Sequence, residues 1–437
     1  MPSSWLRPRR KWAVVRLIGL LLLGLIAAFV FWTHSQVERS SPSHGKSLDS
    51  GVAVRLAALH DRPIATEIPS VSSMGCDDAT DVKPIDSDPT SKAVQDSVDK
   101  VLSKLSARLL AGSDPTDQVL GVYLQMMSAR YHAFADFSAS RPDCLRDVEC
   151  EVEETRVVDR AVSPIVDEIA KIASTSDQPE VYALAMGACG LSWQSSQGNR
   201  CSQLSLRQWA RLEPDNLVPW MFLAEEASQR QDSAARDDAL FHASQAKTSD
   251  PHWSTFAKVA ESSEVQAQPL EVQVAIYEGF RPIAHMGVPS YNVLRPFCAY
   301  ELPFYMNRRQ LCSDLATIMT DHAYEVDSFI FGEGIGELVG WAPSRLQALR
   351  DRKDAFLELS DEIRSIPTNK CEGLNQRRAA VEQELRYGEV VALRHRLAES
   401  KRDEATLAER YRNKQATSRA STRAGSPVTS SGSEKRN

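Results

Sequence analysis

Trp12 to Trp32 (WAVVRLIGLLLLGLIAAFVFW) carries a single charge, and no other segment restricts the fate of the chain as strongly. As a helix rising about 1.5 Å per residue it would span roughly 30 Å, the thickness of bilayer hydrocarbon. Arg16 lies one turn inside one end, where its stem can snorkel to the headgroups. Trp12 and Trp32 suit the two interfaces. Arg7, Arg9, Arg10 and Lys11 precede the segment and mostly neutral residues follow. The positive-inside rule therefore puts Met1 in the cytoplasm and the chain after Thr33 outside it. A cleaved signal peptide is the alternative, although Phe29–Trp32 offers no small-x-small site and Thr33-His34-Ser35 is a poor substitute. A buried core helix is a third reading, against which stands the unbroken run of apolar or Gly residues from Leu17 to Trp32.

Export makes the cysteines informative. The eight are Cys76, Cys144, Cys150, Cys189, Cys201, Cys298, Cys312 and Cys371, with no C-x-x-C among them. An even number in an oxidising compartment points to disulfides rather than a zinc ribbon or a thioredoxin-type site. Local spacing suggests Cys144–Cys150, Cys189–Cys201 and Cys298–Cys312. Cys76 and Cys371 are left as a long-range pair or as free, buried thiols. The absence of any N-x-[ST] sequon fits a bacterial inner-membrane protein facing the periplasm. The formal charge of −7 includes the N-terminal cations, so the remainder is more acidic still and no nucleic-acid partner is expected.

Seven segments follow from composition: a cytoplasmic basic stretch at 1–11, the anchor at 12–33, a Ser/Pro/Asp-rich linker at 34–90, helical regions at 91–262 and 263–372, a charged helix at 373–414 and a solvated tail at 415–437. A short helical turn is conceivable near Val52–Leu59. Val94, Val98, Val101, Leu105 and Leu109 mark one face of a helix that Gly112 can close in a left-handed conformation. Ser113-Asp114-Pro115, Ser176-Asp177-Gln178-Pro179, Glu213-Pro214-Asp215-Asn216 and Ser249-Asp250-Pro251 then repeat one device. An acceptor side chain caps free N–H groups and a proline stands near the first turn, where no hydrogen bond is lost. Short turns between amphipathic helices force antiparallel neighbours, so the fold class is all-α, built of stacked antiparallel helical hairpins. Further helices are read at 270–280, 311–331 and 344–365, with Pro282, Pro289, Pro296 and Pro303 breaking the chain between the first two. In the charged segment, Val390, Leu393, Leu397, Leu407 and Tyr411 form a stripe, and Glu382 with Arg386 an i, i+4 pair.

Residues 182–251 go further. Trp209–Asn216 (WARLEPDN) looks like the end of one unit; Trp220, Leu223, Ala224 and Ala227 like the first helix of the next; Ala239, Ala243, Ala246 and Pro251 like its second helix, with about three residues inserted near Arg230–Ala234. Tyr182, Ala185 and Cys189 fit a preceding unit with a longer insertion at Gln194–Arg200. This stretch resembles tetratricopeptide repeats, which implies helical hairpins of an α-solenoid used for protein binding and no chemistry of its own. The competing reading is an irregular α-domain in which Trp220 and its alanines are ordinary core.

Catalytic signatures are weak. Gly332-Glu333-Gly334-Ile335-Gly336 lacks the strand and βαβ frame of a dinucleotide loop. Gly332, Gly336 and Gly340 recur at four-residue intervals and would let a neighbouring helix approach. The nine histidines form no H-E-x-x-H or H-x-x-x-H, so metal binding at His242 or His252 rests on residue type alone. There is no G-x-S-x-G and no P-loop. Asp86-Ser87-Asp88 falls in the linker and reads as a solvated turn. Glu225-Glu226 and Asp237-Asp238 could serve acid–base chemistry, but adjacent residues on a helix diverge. No catalytic, cofactor or metal residue is therefore assigned. The expected function is a membrane-anchored, extracytoplasmic scaffold binding other proteins through a surface containing Trp220 and Leu223. The alternatives are a cell-envelope enzyme with a cryptic carboxylate or thiol site, and self-association through 373–413.

Overall fold

A computed structural model describes residues 92–141, 148–191, 200–286, 289–300, 306–368 and 370–425. The expected anchor at 12–33, the linker at 34–90, Asp86-Ser87-Asp88, Cys76 and Cys144 lie outside these residues. Among the described residues, no helix is long and apolar enough to cross a membrane. They are all-helical, with seventeen α-helices and one isolated bridge, between Asn216 and Thr248, as the only sheet-type pairing.

The first helix, α1 (Lys92–Leu110), buries the predicted stripe Val94, Val98, Val101, Leu105 and Leu109. It does not end on a left-handed glycine. The described glycines with positive φ are Gly340 and Gly388, and the Gly112 N–H instead donates to the Leu109 carbonyl at 3.1 Å in a tight turn. The next helix, α2 (Pro115–Ser140), starts as expected, with the Asp114 carboxylate accepting from the Thr116 N–H at 3.0 Å. Gly121 brings α2 close to α1: a Cβ there would lie 3.1 Å from the Leu109 side chain and from the Ser106 carbonyl. Beside it, the buried Ser106 hydroxyl donates to the Gly121 carbonyl at 2.8 Å.

Two more helices, α3 (Val148–Ala173) and α4 (Pro179–Leu191), continue the pile. After them come α5 (Leu206–Leu212), α6 (Leu217–Gln229) and α7 (Ser233–Ser244). Ser249-Asp250-Pro251 introduces only a 3-10 turn at Trp253–Phe256 and the single-turn helices α8 (Ala257–Ala260) and α9 (Ser263–Gln266).

The chain then runs through α10 (Leu270–Met286), α11 (Leu294–Tyr300), α12 (Met306–Asp321), α13 (Val326–Leu338) and α14 (Pro343–Arg364). Pro282 lies inside α10 rather than ending it. Pro296 occupies the first turn of α11, where its missing N–H breaks no bond. The helix expected over 311–331 is two, because the segment 322–325 breaks between α12 and α13.

The charged segment is three helices, not one: α15 (Cys371–Tyr387), α16 (Glu389–Ser400) and α17 (Glu404–Gly425). Gly388 (φ 84°) divides the first two and Lys401 (φ 52°) ends the second. The predicted Glu382–Arg386 pair forms at 2.7 Å. The helix continues past residue 415, where composition suggested a tail.

One hydrophobic cluster joins α1–α4 to Trp253, Phe256, α10 and the Val381–Leu385 part of α15. The segments 91–262, 263–372 and 373–414 thus share a core. A second cluster unites α6, α7 and α11–α13, and a third α13–α17. Two of the expected disulfides are formed. Cys189–Cys201 ties the end of α4 to the turn at Arg200–Gln203, and Cys298–Cys312 ties α11 to α12, with Cα separations of 5.8 and 6.0 Å. Cys150 and Cys371 are disulfide-bonded as well.

The glycines of α13 act by closeness, as their spacing suggests, but on different neighbours. A Cβ on Gly332 would come within 2.8 Å of Met319 on α12, and one on Gly336 would enter the Trp341 ring. Gly340 lies beyond the helix and supplies its left-handed turn.

Candidate functional site: an aromatic face and a buried carboxylate elbow

Asn216 positions the α6–α7 hairpin. Its side-chain oxygen accepts the Val218 and Asp250 N–H groups at 3.2 and 3.0 Å, and its amide donates to the Asp250 carbonyl at 2.6 Å. The segment leaving α7 is thereby pinned to the one entering α6. Glu213 adds a part-buried contact with His252 at 2.8 Å. Burial alone would lower the His252 pKa, but the Glu213 hydrogen bond and the charges of Asp250, Glu213 and Glu180 outweigh it and raise the pKa above its ordinary value. His252 thus helps Asn216 pin the hairpin through its contact with Glu213.

On the outer side, Trp220 stacks on His242 with ring centroids 4.5 Å apart, and its indole N–H donates to the Pro214 carbonyl at 3.0 Å. Phe241, 54% exposed, stands edge-on to the same imidazole at 5.7 Å. Leu223, expected to share this surface with Trp220, is only 8% exposed and packs in the core between α6 and α7. It lies on the buried stripe of α6 with Met221, Ala224 and Ala227, and Trp220 sits half-buried at the edge of that stripe. The sequence reading does not single out Phe241, and it considers His242 only as a metal ligand on residue type. Both flank the buried set Ala239, Leu240 and Ala243, so a helical projection of α7 would have placed them on the solvent side.

The adjacent carboxylates diverge. Glu225 accepts the Ser290 N–H at 3.3 Å, and burial pushes its carboxyl up; Glu226 pairs with Arg230 at 2.7 Å. Asp237 binds Arg236 and Arg308, whose guanidinium groups lie over the Phe297 ring, while Asp238 faces solvent. Neither pair converges on a point where a substrate could be worked on.

Carboxylates do gather in a place the sequence did not suggest, where residues 324–326 meet the bend between α15 and α16. The Glu389 carboxylate accepts the Val326 N–H at 3.0 Å and so caps α13 from another helix. The Val390 N–H donates to the Tyr324 carbonyl at 3.1 Å. Gly388 faces the Tyr324 ring so closely that a Cβ would lie 2.8 Å from it. Glu325, 6% exposed, precedes α13 without capping it. Burial, then the charges of Glu389 and Asp327, hold its carboxyl well above the usual range. The Tyr324 hydroxyl nearby is buried without a hydrogen-bond partner, and the buried hydroxyls of Tyr291 and Ser328 face one another.

One turn back on α15, Glu384 pairs with Arg281 of α10 at 2.9 Å. Burial pushes its pKa to about 7 against the pull of Arg281, with Glu389 and Glu278 adding to the rise. Glu278 itself engages Arg281 and Arg377. Among the described residues no group of three or more His, Cys, Asp or Glu side chains is placed to hold a metal ion. These acids come from helices far apart in sequence, which is why spacing does not assemble them.

Comparison with known protein families, with curated proteins and with solved structures yields no match to this chain.

Proposed function

We infer that the chain is a membrane-tethered, extracytoplasmic scaffold, non-enzymatic, that binds another protein through the Trp220–Phe241–His242 face of the α6–α7 hairpin. The exposed Phe241 carries this reading. Covering the exposed half of this phenylalanine gains roughly 1 kcal/mol, and buried aromatic anchors are prominent in protein interfaces. Phe241 has the stacked Trp220–His242 pair as its support. Read as a tetratricopeptide-like unit, the hairpin has small residues at its crossing, Ala224 against Ala239 and Ala243, in keeping with the resemblance of residues 182–251. The tether rests on the apolar stretch at 12–32, and the disulfides favour an oxidising compartment. The partner is a protein rather than a nucleic acid, since the chain is acidic.

A photoreactive residue in place of Phe241, in the full-length membrane-borne chain, is expected to give one discrete protein adduct. Trp220→Ala should abolish that adduct, and the same probe in place of Lys104 on α1 should not form it. No adduct at position 241 would remove the binding face from the reading. A reporter fused after Asn437 that works only in the cytosol would remove the topology.

A further inference from the structure

Between α1 and α9 lies a groove enclosing about 340 Å³, within the roughly 300–1,000 Å³ of small-ligand sites. Lys100 and Lys104 line its α1 side. Four residues apart on one helix, they share a face and stand about 6 Å apart along the axis. Neither ammonium makes an ion pair or a hydrogen bond among the described residues, in a chain whose formal charge is −7.

The carboxylates nearest to them on α1 are occupied. Asp96 holds Lys92 at 2.9 Å, and Asp99 accepts from the Ser128 hydroxyl at 3.1 Å and contacts His132 at 3.0 Å. Of the residues lining the groove Glu264 alone is acidic, and Arg108 takes its carboxylate at 2.9 Å. Two like charges one turn apart are unfavourable on a helix, and here no carboxylate of the fold relieves them. We propose that the groove is a binding site for a phosphate group, carried by a small molecule or a lipid headgroup and held between the Lys100 and Lys104 ammoniums.

Ammonium groups act as point charges on a multivalent oxyanion and do not need the planar fork that matches an arginine to a carboxylate. A phosphate monoester carries close to two charges at neutral pH, one for each lysine. The α9 side adds neutral donors. The Ser263 hydroxyl makes only a long bond, 3.3 Å, to the Glu264 carboxylate. The Gln268 amide gives one hydrogen to the Glu264 carbonyl at 2.9 Å and keeps the second. The confined volume and the acidic balance of the chain suit an isolated phosphate rather than the repeating charge of a nucleic acid. The groove is built on other elements than the Trp220–Phe241–His242 face, so it stands whether or not that face binds a protein.

The test is chemical shielding of the lysines in the full-length chain, held in phosphatidylcholine nanodiscs. Acetylation by an uncharged N-hydroxysuccinimide ester is read by mass spectrometry at Lys100, at Lys104 and at Lys401, which ends α16, is exposed and likewise has no ion pair among the described residues. Saturating inorganic pyrophosphate, against NaCl of matched ionic strength, should slow labelling of Lys100 and Lys104 about tenfold, the factor that occupancy of about nine-tenths gives. Lys401 should be unchanged. Lys100→Gln should remove the shielding of Lys104, and Lys104→Gln that of Lys100; glutamine is a good helix former, so the exposed turn keeps its fold. Shielding in phosphatidylglycerol nanodiscs without pyrophosphate would assign the phosphate to a lipid headgroup, and shielding by pyrophosphate alone would assign it to a soluble molecule. The site is overturned if neither source shields the two lysines, if NaCl shields them equally, if Lys401 is shielded as well, or if Lys104 stays shielded in Lys100→Gln.

Discussion

The α1–α4 bundle and the α14–α17 layer are both helices packed on helices, yet different forces hold them. Around α2 the contacts are apolar. Phe256, fully buried, meets Tyr123 edge-on at 5.2 Å, stacks on Trp253 at 5.3 Å and tilts against Phe280 at 4.8 Å. Between α14 and α17 the contacts are largely ionic. Glu358, wholly buried, accepts from Arg410 and Lys414. Glu362 takes a two-pronged grip from Arg402 with both bonds at 2.7 Å, and Arg412 reaches Asp351 and Asp354. Leu407 and Ala408 are the main apolar contribution of α17. Burial of apolar area is indifferent to pH and salt, whereas exposed charge pairs respond to both, so one chain contains a robust half and a tunable one.

The sharpest way to break this contrast is Phe256→Ala. Removing a fully buried ring leaves a cavity among three aromatic neighbours, and such truncations cost about 3–5 kcal/mol. Urea denaturation followed by tryptophan fluorescence and circular dichroism should show a midpoint shift of that size. A loss below about 1 kcal/mol would mean that the apolar bundle is not the stable half.

A smaller effect separates the halves by pH. The hydrogen bonds and charge of Arg402, with Arg410, hold the Glu362 carboxyl below its ordinary value. A lowered carboxyl contributes stability that is complete above the ordinary value of 4.5 and is lost as pH falls through the folded-state value. Acid should therefore loosen α17 first. Glu362 is partly exposed, so solvent screening limits the effect to about 1 kcal/mol. Hydrogen exchange of peptides from α17 and α2 at pH 3 and pH 6 measures it, and Glu362→Gln should reduce the acid sensitivity of α17 without abolishing it, since Glu358, Asp351 and Asp354 also bind α17. Equal loss in both peptides would erase the distinction.

How much of this was legible follows the same division. The apolar half was readable: the Val94–Leu109 stripe, the Asp114-Pro115 start and the Asn216 cap are local signals, and local chemistry decides them. So were the short-range disulfides Cys189–Cys201 and Cys298–Cys312. The charged half reads as one helix because the stripe Val390, Leu393, Leu397, Leu407 and Tyr411 spans Lys401, and composition does not reveal backbone direction. Many of its charges are interhelical partners. Glu325, Glu384 and Glu389 escaped for a further reason: their meeting depends on how the 322–325 break docks against the elbow, a contact between segments some sixty residues apart. Leu223 was placed on the surface because a resemblance fixes which residues are characteristic of a hairpin, not which side of it faces out.

The smallest expected effect tests the tunable half directly. At 1 M salt the screening length falls to about 3 Å, so the solvent-exposed bonds of Arg412 to Asp351 and Asp354 weaken while Phe256 and its neighbours do not. Exposed pairs contribute only about 0.2–1 kcal/mol each, and the buried carboxylate of Glu358 retains partners that salt cannot easily displace. Raising NaCl from 0.1 to 1 M at pH 7 should therefore increase exchange in the α17 peptide only a few-fold, with the α2 peptide unchanged or slightly more protected. Arg412→Ala should make α17 exchange faster at low salt and blunt its response to added salt. If instead the α17 peptide ignores salt in the wild type, Leu407 and Ala408 hold that helix, and the ionic layer is decoration on an apolar contact like that of α1 and α2.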